Sequence, residues 1–539
     1  RLTPFQLSFV FPAVMPAVVG LGAGAFAVMA LQEPRWTFPV YALIVGGSLN
    51  AAVMAISHSD TLIVSAVAMA AAATSLAAAG GERTIGASVF LLAGATLVHW
   101  NFVAVFLGIL AVLAVALVPE SLAARRRGAG MRTTPAARIG TVVLGSAVLG
   151  GGALLLAPGG LQQPPPARDL FLRRMTAIVP VYELPITGPI AAAGALSLWR
   201  PKDPARRRAL WFALIWCGSA VAATALLYVG APVAAHRILG FAYALPLLAT
   251  VALVWAARAG WRAGRTVPRA AGIAVLAGGL ALSAFATERQ WFRSRASLPA
   301  ATFAQAATAG AYLERYAPGR PAVVVIDGAP GLVPLAERVF RASVPADRIA
   351  TTLPYLGDPD RLLAGQPTVR GEPAFDAASR LNLDRLEPLL SKDPVVVMVS
   401  SLDRRYRALT QANPAWVVAP GVAVVSGPRP AAPLSAAPAP RAVPGRSLVL
   451  RAGAVLLLLS VVGVGWAWSL IPAGWFERLA LAPAFGVAAL SLAGVAADRL
   501  GMVFPGPSGI GVAAGAAAAG WAARILVRAV PPRPAPTTP

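Results

Sequence analysis

The sequence predicts a polytopic α-helical membrane protein of about 13 spans with one extracytoplasmic α/β domain. Apolar stretches of span length follow one another along the chain, and a single polar block, residues 288–446, interrupts them. Hydrophobic residues make up 57% of the chain, charged residues only 13%, and the mean hydropathy is +0.68. This balance lies far from that of soluble proteins and indicates that lipid solvates most of the chain.

A helix needs roughly 20 apolar residues to cross the hydrocarbon layer. The predicted spans are residues 8–31, 37–56, 61–80, 85–98, 101–118, 139–158, 177–199, 209–231, 238–257, 270–287, 447–470, 479–500 and 507–527. The run 85–118 is divided because it is too long for one upright span. Its centre also carries His99, Trp100 and Asn101, which are costly inside lipid unless the chain surfaces there.

The positive charge gives the orientation, since cytoplasmic loops retain arginine and lysine. Three loops between predicted spans are rich in it: Arg125, Arg126, Arg127, Arg132 and Arg138; Arg200, Lys202, Arg206, Arg207 and Arg208; Arg258, Arg262, Arg265 and Arg269. Alternation of the spans puts all three on one side and leaves the polar block outside a bacterial plasma membrane. The net charge of +24 is therefore interpreted as a topology signal, and nucleic acid is not expected as a partner.

Five regions follow from this pattern. They are a transmembrane module (1–287), an extracytoplasmic α/β domain (288–426), a Pro-rich linker (427–446), a three-span segment (447–527) and a disordered tail (528–539). Within the polar block, Ala322–Ile326 and Pro394–Ser400 have the length and composition of buried strands. Trp416–Ser426 is typical of a hairpin that turns at Pro420 and Gly421.

Polar side chains collect at the predicted outer mouths of the spans. The candidates are His58, Asp60, His99, Asn101, His236 and Arg237. Histidine and carboxylate at one membrane level can hold a divalent cation, transfer protons or bind a phosphate. The simpler interpretation is that these residues cap helices where they leave the lipid, as the Ser57–Asp60 group does if it precedes a helix that starts at Thr61.

As a set, these residues have a familiar order. A span that ends in Ser57, His58, Ser59 and Asp60, a short span that leads to His99-Trp100-Asn101, and His236-Arg237 just before an apolar stretch together resemble the core of the GT-C membrane glycosyltransferases. Within that class the layout of residues 1–290 is similar to that of the dolichyl-phosphate-mannose protein mannosyltransferases. These enzymes take sugars from polyprenyl-phosphate donors at the outer leaflet.

The resemblance implies a role for each residue. Asp60 is the catalytic residue and the ligand of a divalent metal, Mg or Mn, while His58, His99, Asn101, His236 and Arg237 bind substrate. The implied partners are a polyprenyl-phosphate sugar, an extracytoplasmic glycan or protein acceptor, and membrane lipids. The acidic residue that the family carries after its first span is missing, so we expect the chain to be incomplete before Arg1. The abundance of alanine, glycine, proline and arginine resembles the coding bias of a GC-rich bacterial genome.

Two other functions stay open on the sequence alone. A transporter or lipid flippase would use broken helices and membrane-embedded charges, which are few within the predicted spans. A non-catalytic envelope protein would keep the same fold and use its outer domain to bind a partner.

Overall fold

The computed structural model is mostly helical, with one small sheet. It describes residues 4–48, 59–156, 184–199, 203–228, 243–262, 300–326, 349–354, 395–399, 413–439, 445–472, 474–500 and 507–529, with scattered positions between 266 and 281, residues 410 and 411, and residue 502. The chain divides into two compact units. One contains residues 11–162, 175–294 and 449–539; the other contains residues 1–10, 163–174 and 295–448.

The described α-helices, numbered in chain order, are α1 (Pro4–Met29), α2 (Phe38–Gly46), α3 (Ser59–Ala79), α4 (Ile85–Ala116), α5 (Val118–Arg126), α6 (Pro135–Leu156), α7 (Leu184–Trp199), α8 (Pro204–Tyr228), α9 (Ala244–Arg262), α10 (Ala300–Tyr316), α11 (Gly445–Leu470), α12 (Trp475–Arg499) and α13 (Pro507–Ala529). The bounds of α1, α3, α6, α8, α11, α12 and α13 lie within about five residues of those of a predicted span, whereas α9 is shifted by five to six residues from the predicted span 238–257. The predicted span 270–287 and the second half of 37–56 lie largely outside the described residues.

Six of the described helices are long and apolar enough to cross a membrane: α4, α6, α9, α11, α12 and α13. Parts of α1 and α3 are also apolar but shorter. These helices are those of a membrane protein, as the sequence predicted. The total of 13 spans and their orientation stay predictions.

The break in α4 falls at the predicted place. Its backbone leaves the helical region at His99 (φ −158°, ψ 80°), although the helix is assigned continuously from Ile85 to Ala116. Just beyond its far end, Ser121 Oγ accepts the N–H of Ala136 at 3.0 Å, so α6 begins beside the end of α4.

The packing of α6 shows that the chain reverses at this break. A Cβ on Gly145 would lie 3.0 Å from Val89 Cγ2, and one on Gly150 would lie 2.6 Å from Thr96 Oγ1. In a straight helix, Val89 would lie about 40 Å from Ala116, beyond the reach of Gly145. The two halves of α4 therefore run in opposite directions, and both its ends lie at one face of the unit.

That face, which we call the arginine face, brings together the arginines of separate loops. It contains Arg35, Arg138, Arg206, Arg207, Arg208 and Arg258. Arg206 and Arg258 both pair with Glu33, Arg207 and Arg208 with Glu120, and Arg35 with Glu477. The Arg138 guanidinium donates to the carbonyl of Ala78 in the last turn of α3 (3.0 Å), where a cation is favoured by the helix dipole.

Glycines allow a very close helix contact in this unit, between α11 and α12. A Cβ on Gly463 would fall far below 3.0 Å from the Ala482 carbonyl, and one on Gly486 equally close to the Leu459 carbonyl. Small residues let helix backbones approach in this way, and such close packing stabilises helix pairs in membranes.

We expect Gly486→Ala to destabilise the protein by about 2 to 3 kcal/mol, because α11 and α12 must move apart to admit the methyl group. Unfolding of the purified protein in mixed micelles measures this change. Gly494→Ala is the matched control on the same helix, since nothing lies within 4 Å of a Cβ there. Equal stability of the two variants would contradict the assigned contact.

The second unit contains a five-stranded sheet. Its strands are β1 (Ala322–Ile326), β2 (Ile349–Pro354), β3 (Val395–Val399), β4 (Val417–Ala419) and β5 (Val422–Ser426), in the order β2-β1-β3-β5-β4. β1 is parallel to β2 and β3, whereas β5 is antiparallel to β3 and β4. The helix α10 covers this sheet, with Phe303, Tyr312 and Leu313 in one core with the strand valines.

The predicted strands β1 and β3 and the predicted hairpin are confirmed, and Gly421 turns the hairpin with a left-handed backbone (φ 75°). The strand β2 and the helix α10 were not predicted from the sequence. Residues 427–439, part of the predicted linker, hold neither helix nor strand and run along the domain: Tyr312 donates to the Pro428 carbonyl, and Leu434 N–H to that of Val418.

Candidate functional site

Three of the predicted site residues, Asp60, His99 and Asn101, lie at the face opposite the arginine face. His99 is 7% exposed and lies at the reversal of α4, and Asn101 is half-buried in the turn that follows. Asp60 lies in the first turn of α3, where the structure describes the backbone but not its side chain. His58, His236 and Arg237 lie outside the described residues.

The register of α3 and α4 brings two of these positions to nearly the same level. Ser88 Oγ donates to Thr74 Oγ1 (2.8 Å), and the two helices run antiparallel from this contact. His99 lies eleven residues after Ser88 on α4, so the residue at the same level on α3 lies eleven residues before Thr74, which is Ile63. Asp60 is three residues beyond Ile63, which is about 4.5 Å along the helix axis.

Other helix ends lie at the same face. The Arg499 guanidinium at the end of α12 donates to the Leu156 carbonyl at the end of α6. Both helices begin at the arginine face, where Glu477 of α12 pairs with Arg35 and Ala136 of α6 bonds to Ser121. The face that contains the break in α4 is therefore formed by the starts of some helices and the ends of others.

Trp100 is a further candidate, which was not among the site residues predicted from the sequence. Its indole N–H is buried, and within the described part of the chain it has no hydrogen-bond partner. A buried donor without a partner is costly, so such a group is a candidate to bind an oxygen atom of a ligand. The signal was present in the sequence, since Trp100 lies between two predicted site residues.

A break in an apolar helix also frees backbone groups. In lipid such groups must be bonded within the protein or line a cavity, so a helix that is broken at His99 marks a position where polar groups gather. This arrangement can bind a polar head group at the end of an apolar helix pair.

The predicted metal site has no support from the described residues. Among them, no group of three or more histidine, cysteine, aspartate or glutamate side chains is placed to hold a metal ion. Asp60 is the one predicted ligand, and a single carboxylate does not define a metal site.

Charged groups at the arginine face are largely arranged in ion pairs. At the arginine face, burial and the neighbouring Glu477 carboxylate raise the pKa of Glu82, which lies in the loop between α3 and α4. Glu33, Glu120 and Glu477 are paired with arginines from other loops, which indicates that this face has a structural role.

The buried acidic residues of the arginine face were not predicted. Glu33, Glu120 and Glu477 are isolated carboxylates in arginine-rich or apolar segments. Their position beside predicted arginine loops was the available signal.

No family model matches the chain, and comparison with curated proteins finds no match.

Proposed function

We propose that this chain is a membrane glycosyltransferase of the GT-C type, which moves a sugar from a polyprenyl-phosphate donor to an extracytoplasmic glycan or protein acceptor. The observation that supports it best is the reversal of α4 at His99, with Trp100 and Asn101 beside it, near the level of Asp60 at the start of α3. The protein would lie in a bacterial plasma membrane with the arginine face in the cytoplasm.

The proposed reaction needs a base and a cluster of donors. Asp60 takes the proton from the acceptor hydroxyl, the acceptor oxygen forms a bond to the anomeric carbon, and the bond from that carbon to the phosphate oxygen breaks. The electron pair leaves with the polyprenyl phosphate, whose added charge His99 and Arg237 stabilise. His58, Asn101 and His236 would bind the substrates around this centre.

The α/β domain would help to bind the acceptor. In the sheet order β2-β1-β3, the connection that follows β1 leads to β2 on one side of β1. The connection that follows β2 leads to β3 on the other side. Ligands of such sheets bind at the carboxyl ends of the strands where the order reverses. Here that edge follows Ile326 and Val399.

A lipid flippase is the second candidate, because discontinuous helices also build the binding sites of transporters. Proteoliposomes that contain the purified protein and a labelled polyprenyl-phosphate sugar separate the two functions. Transfer of label to a water-soluble acceptor supports the transferase. Movement of the label between leaflets without transfer supports the flippase. If the label is neither transferred nor moved, the non-catalytic role is the one that remains.

We expect His99→Ala to lower the transfer rate at least tenfold while the protein folds normally, because a charge-assisted contact to the donor phosphate is lost. Ser75→Ala is the matched control, since Ser75 is buried in α3 near the arginine face and its hydroxyl has no hydrogen-bond partner among the described residues. Transfer by His99→Ala at the rate of this control would remove His99 from the donor site.

A further inference from the structure

The helix α5 lies at the arginine face with one side fixed to the protein. The Glu120 carboxylate accepts hydrogen bonds from Arg208 at 2.7 and 3.0 Å, and Ser121 Oγ accepts the N–H of Ala136. Leu117 separates α5 from the end of α4 and is buried. The helix is therefore held where a long apolar helix ends.

The other side of α5 is exposed and combines apolar and basic residues. Val118 is 43% and Leu122 50% exposed, one helical turn apart, and Arg125 and Arg126 lie on either side of this apolar pair at the next turn. Met131 in the following 3₁₀ turn is also exposed.

The arginines of this segment form no ion pair within the described part of the protein. Arg125, Arg126, Arg127 and Arg132 are exposed, and none of them forms an ion pair with a described carboxylate. Arg127 donates only to the Ala123 carbonyl, one turn back. This differs from Arg206, Arg208 and Arg258, which all pair with buried glutamates.

The exposed apolar surface continues from the neighbouring helix. Val112 and Val115 of α4 are exposed, and Val118 and Leu122 follow them without an intervening charge on the exposed side. An apolar strip that leads from a helix long enough to cross a membrane into a short basic helix is the pattern of a segment that lies in the headgroup layer. An acidic protein partner would not require this continuity.

We propose that α5 and the turn after it, residues 118–132, bind the headgroups of anionic phospholipids at the arginine face. Val118, Leu122 and Met131 enter the acyl boundary, and the guanidinium groups of Arg125, Arg126, Arg127 and Arg132 contact the lipid phosphates. This assignment does not depend on sugar transfer.

Native mass spectrometry of the full chain, titrated with phosphatidylglycerol or phosphatidylcholine in detergent, tests the proposal. The wild-type protein is expected to prefer phosphatidylglycerol, and Arg125→Gln/Arg126→Gln is expected to bind it about tenfold more weakly. Leu122→Ser with Val118→Ser should also weaken binding, because the apolar contact is part of the site.

The matched control, Arg315→Gln/Arg446→Gln, removes the same charge from two exposed arginines outside this segment and should bind as the wild type does. Two results would overturn the proposal: no preference of the wild type for phosphatidylglycerol, or an equal loss in the control. The first result would show that the bound lipid is ordinary annular lipid. The second would show that binding depends on the net charge of the protein and not on this segment.

Discussion

An Asp60→Asn protein is expected to lose at least about 100-fold of its rate of sugar transfer, since general-base catalysis contributes on that order and an amide cannot accept the proton. Asp60 begins α3 at the face that contains the break in α4. Asparagine is as large as aspartate and equally accepted at a helix start, so the fold should persist. Transfer from a polyprenyl-phosphate sugar in proteoliposomes measures the loss.

Asp498→Asn is the matched control for this prediction. Asp498 is an exposed carboxylate in the last turn of α12 at the same face, but it lies at the end of a helix far along the chain from the predicted site. Its neutral variant should keep full activity. A folded Asp60→Asn protein with the activity of this control would remove Asp60 from the mechanism. If the variant bound the donor more weakly but kept its rate, Asp60 would instead belong to the substrate-binding site.

Local patterns predicted those parts of the fold that local physics decides. The polar group at His99 identified the break in α4 because polar residues are costly within a membrane helix, and the run of valines identified β3 because few other structures bury five such residues in sequence. The hairpin followed from Pro420 and Gly421 in the same way.

The missed elements depend on distant partners. The strand β2 has the sequence IATTLP, whose threonines carry no clear alternation, and it is a strand through its pairing with β1. The helix α10 is rich in alanine and polar residues, and its amphipathic side is evident once the sheet that it covers is known. Tertiary pairing decides both, and a single sequence does not show it.

The candidate site was likewise predicted only in part. The sequence identified the residues around the break in α4, but the closeness of His99 to the level of Asp60 rests on the contact between Ser88 and Thr74, two hydroxyls without a distinctive pattern. The arginine loops were predicted to share one side. The contacts confirm that loops distant in sequence meet there, whereas the glutamates that join them were found only in the structure.

Glu33 forms ion pairs with arginines of two different helices. The left-handed backbone of Gln32 (φ 54°) turns the chain after α1 and leads into Glu33, whose carboxylate is only 8% exposed. It accepts from Arg206 at 3.1 Å and pairs with Arg258, which also lies over the ring of Trp36. One carboxylate thus joins the end of α1 to the start of α8 and the end of α9.

We expect Glu33→Gln to lower the free energy of unfolding by about 2 to 3 kcal/mol. Glutamine keeps the size but not the charge, so the guanidinium of Arg258, which is 18% exposed, is left without its counter-ion. The value is set below that of a fully buried pair because Arg206 is 35% exposed and water screens its contribution. Unfolding in mixed micelles gives the change, and Glu33→Gln/Arg258→Gln should be less destabilised than the sum of the single variants.

Asp203→Asn separates this effect from a general loss of negative charge. Asp203 also faces Arg206, but at 3.9 Å and with both side chains more than a third exposed, so the pair contributes less than about 0.5 kcal/mol. Asparagine also keeps the hydrogen bond from the Ala205 N–H that begins α8. If both variants were equally stable, the buried carboxylate would not hold α8 and α9 to the end of α1, and close packing of the apolar helices would account for the stability of this face.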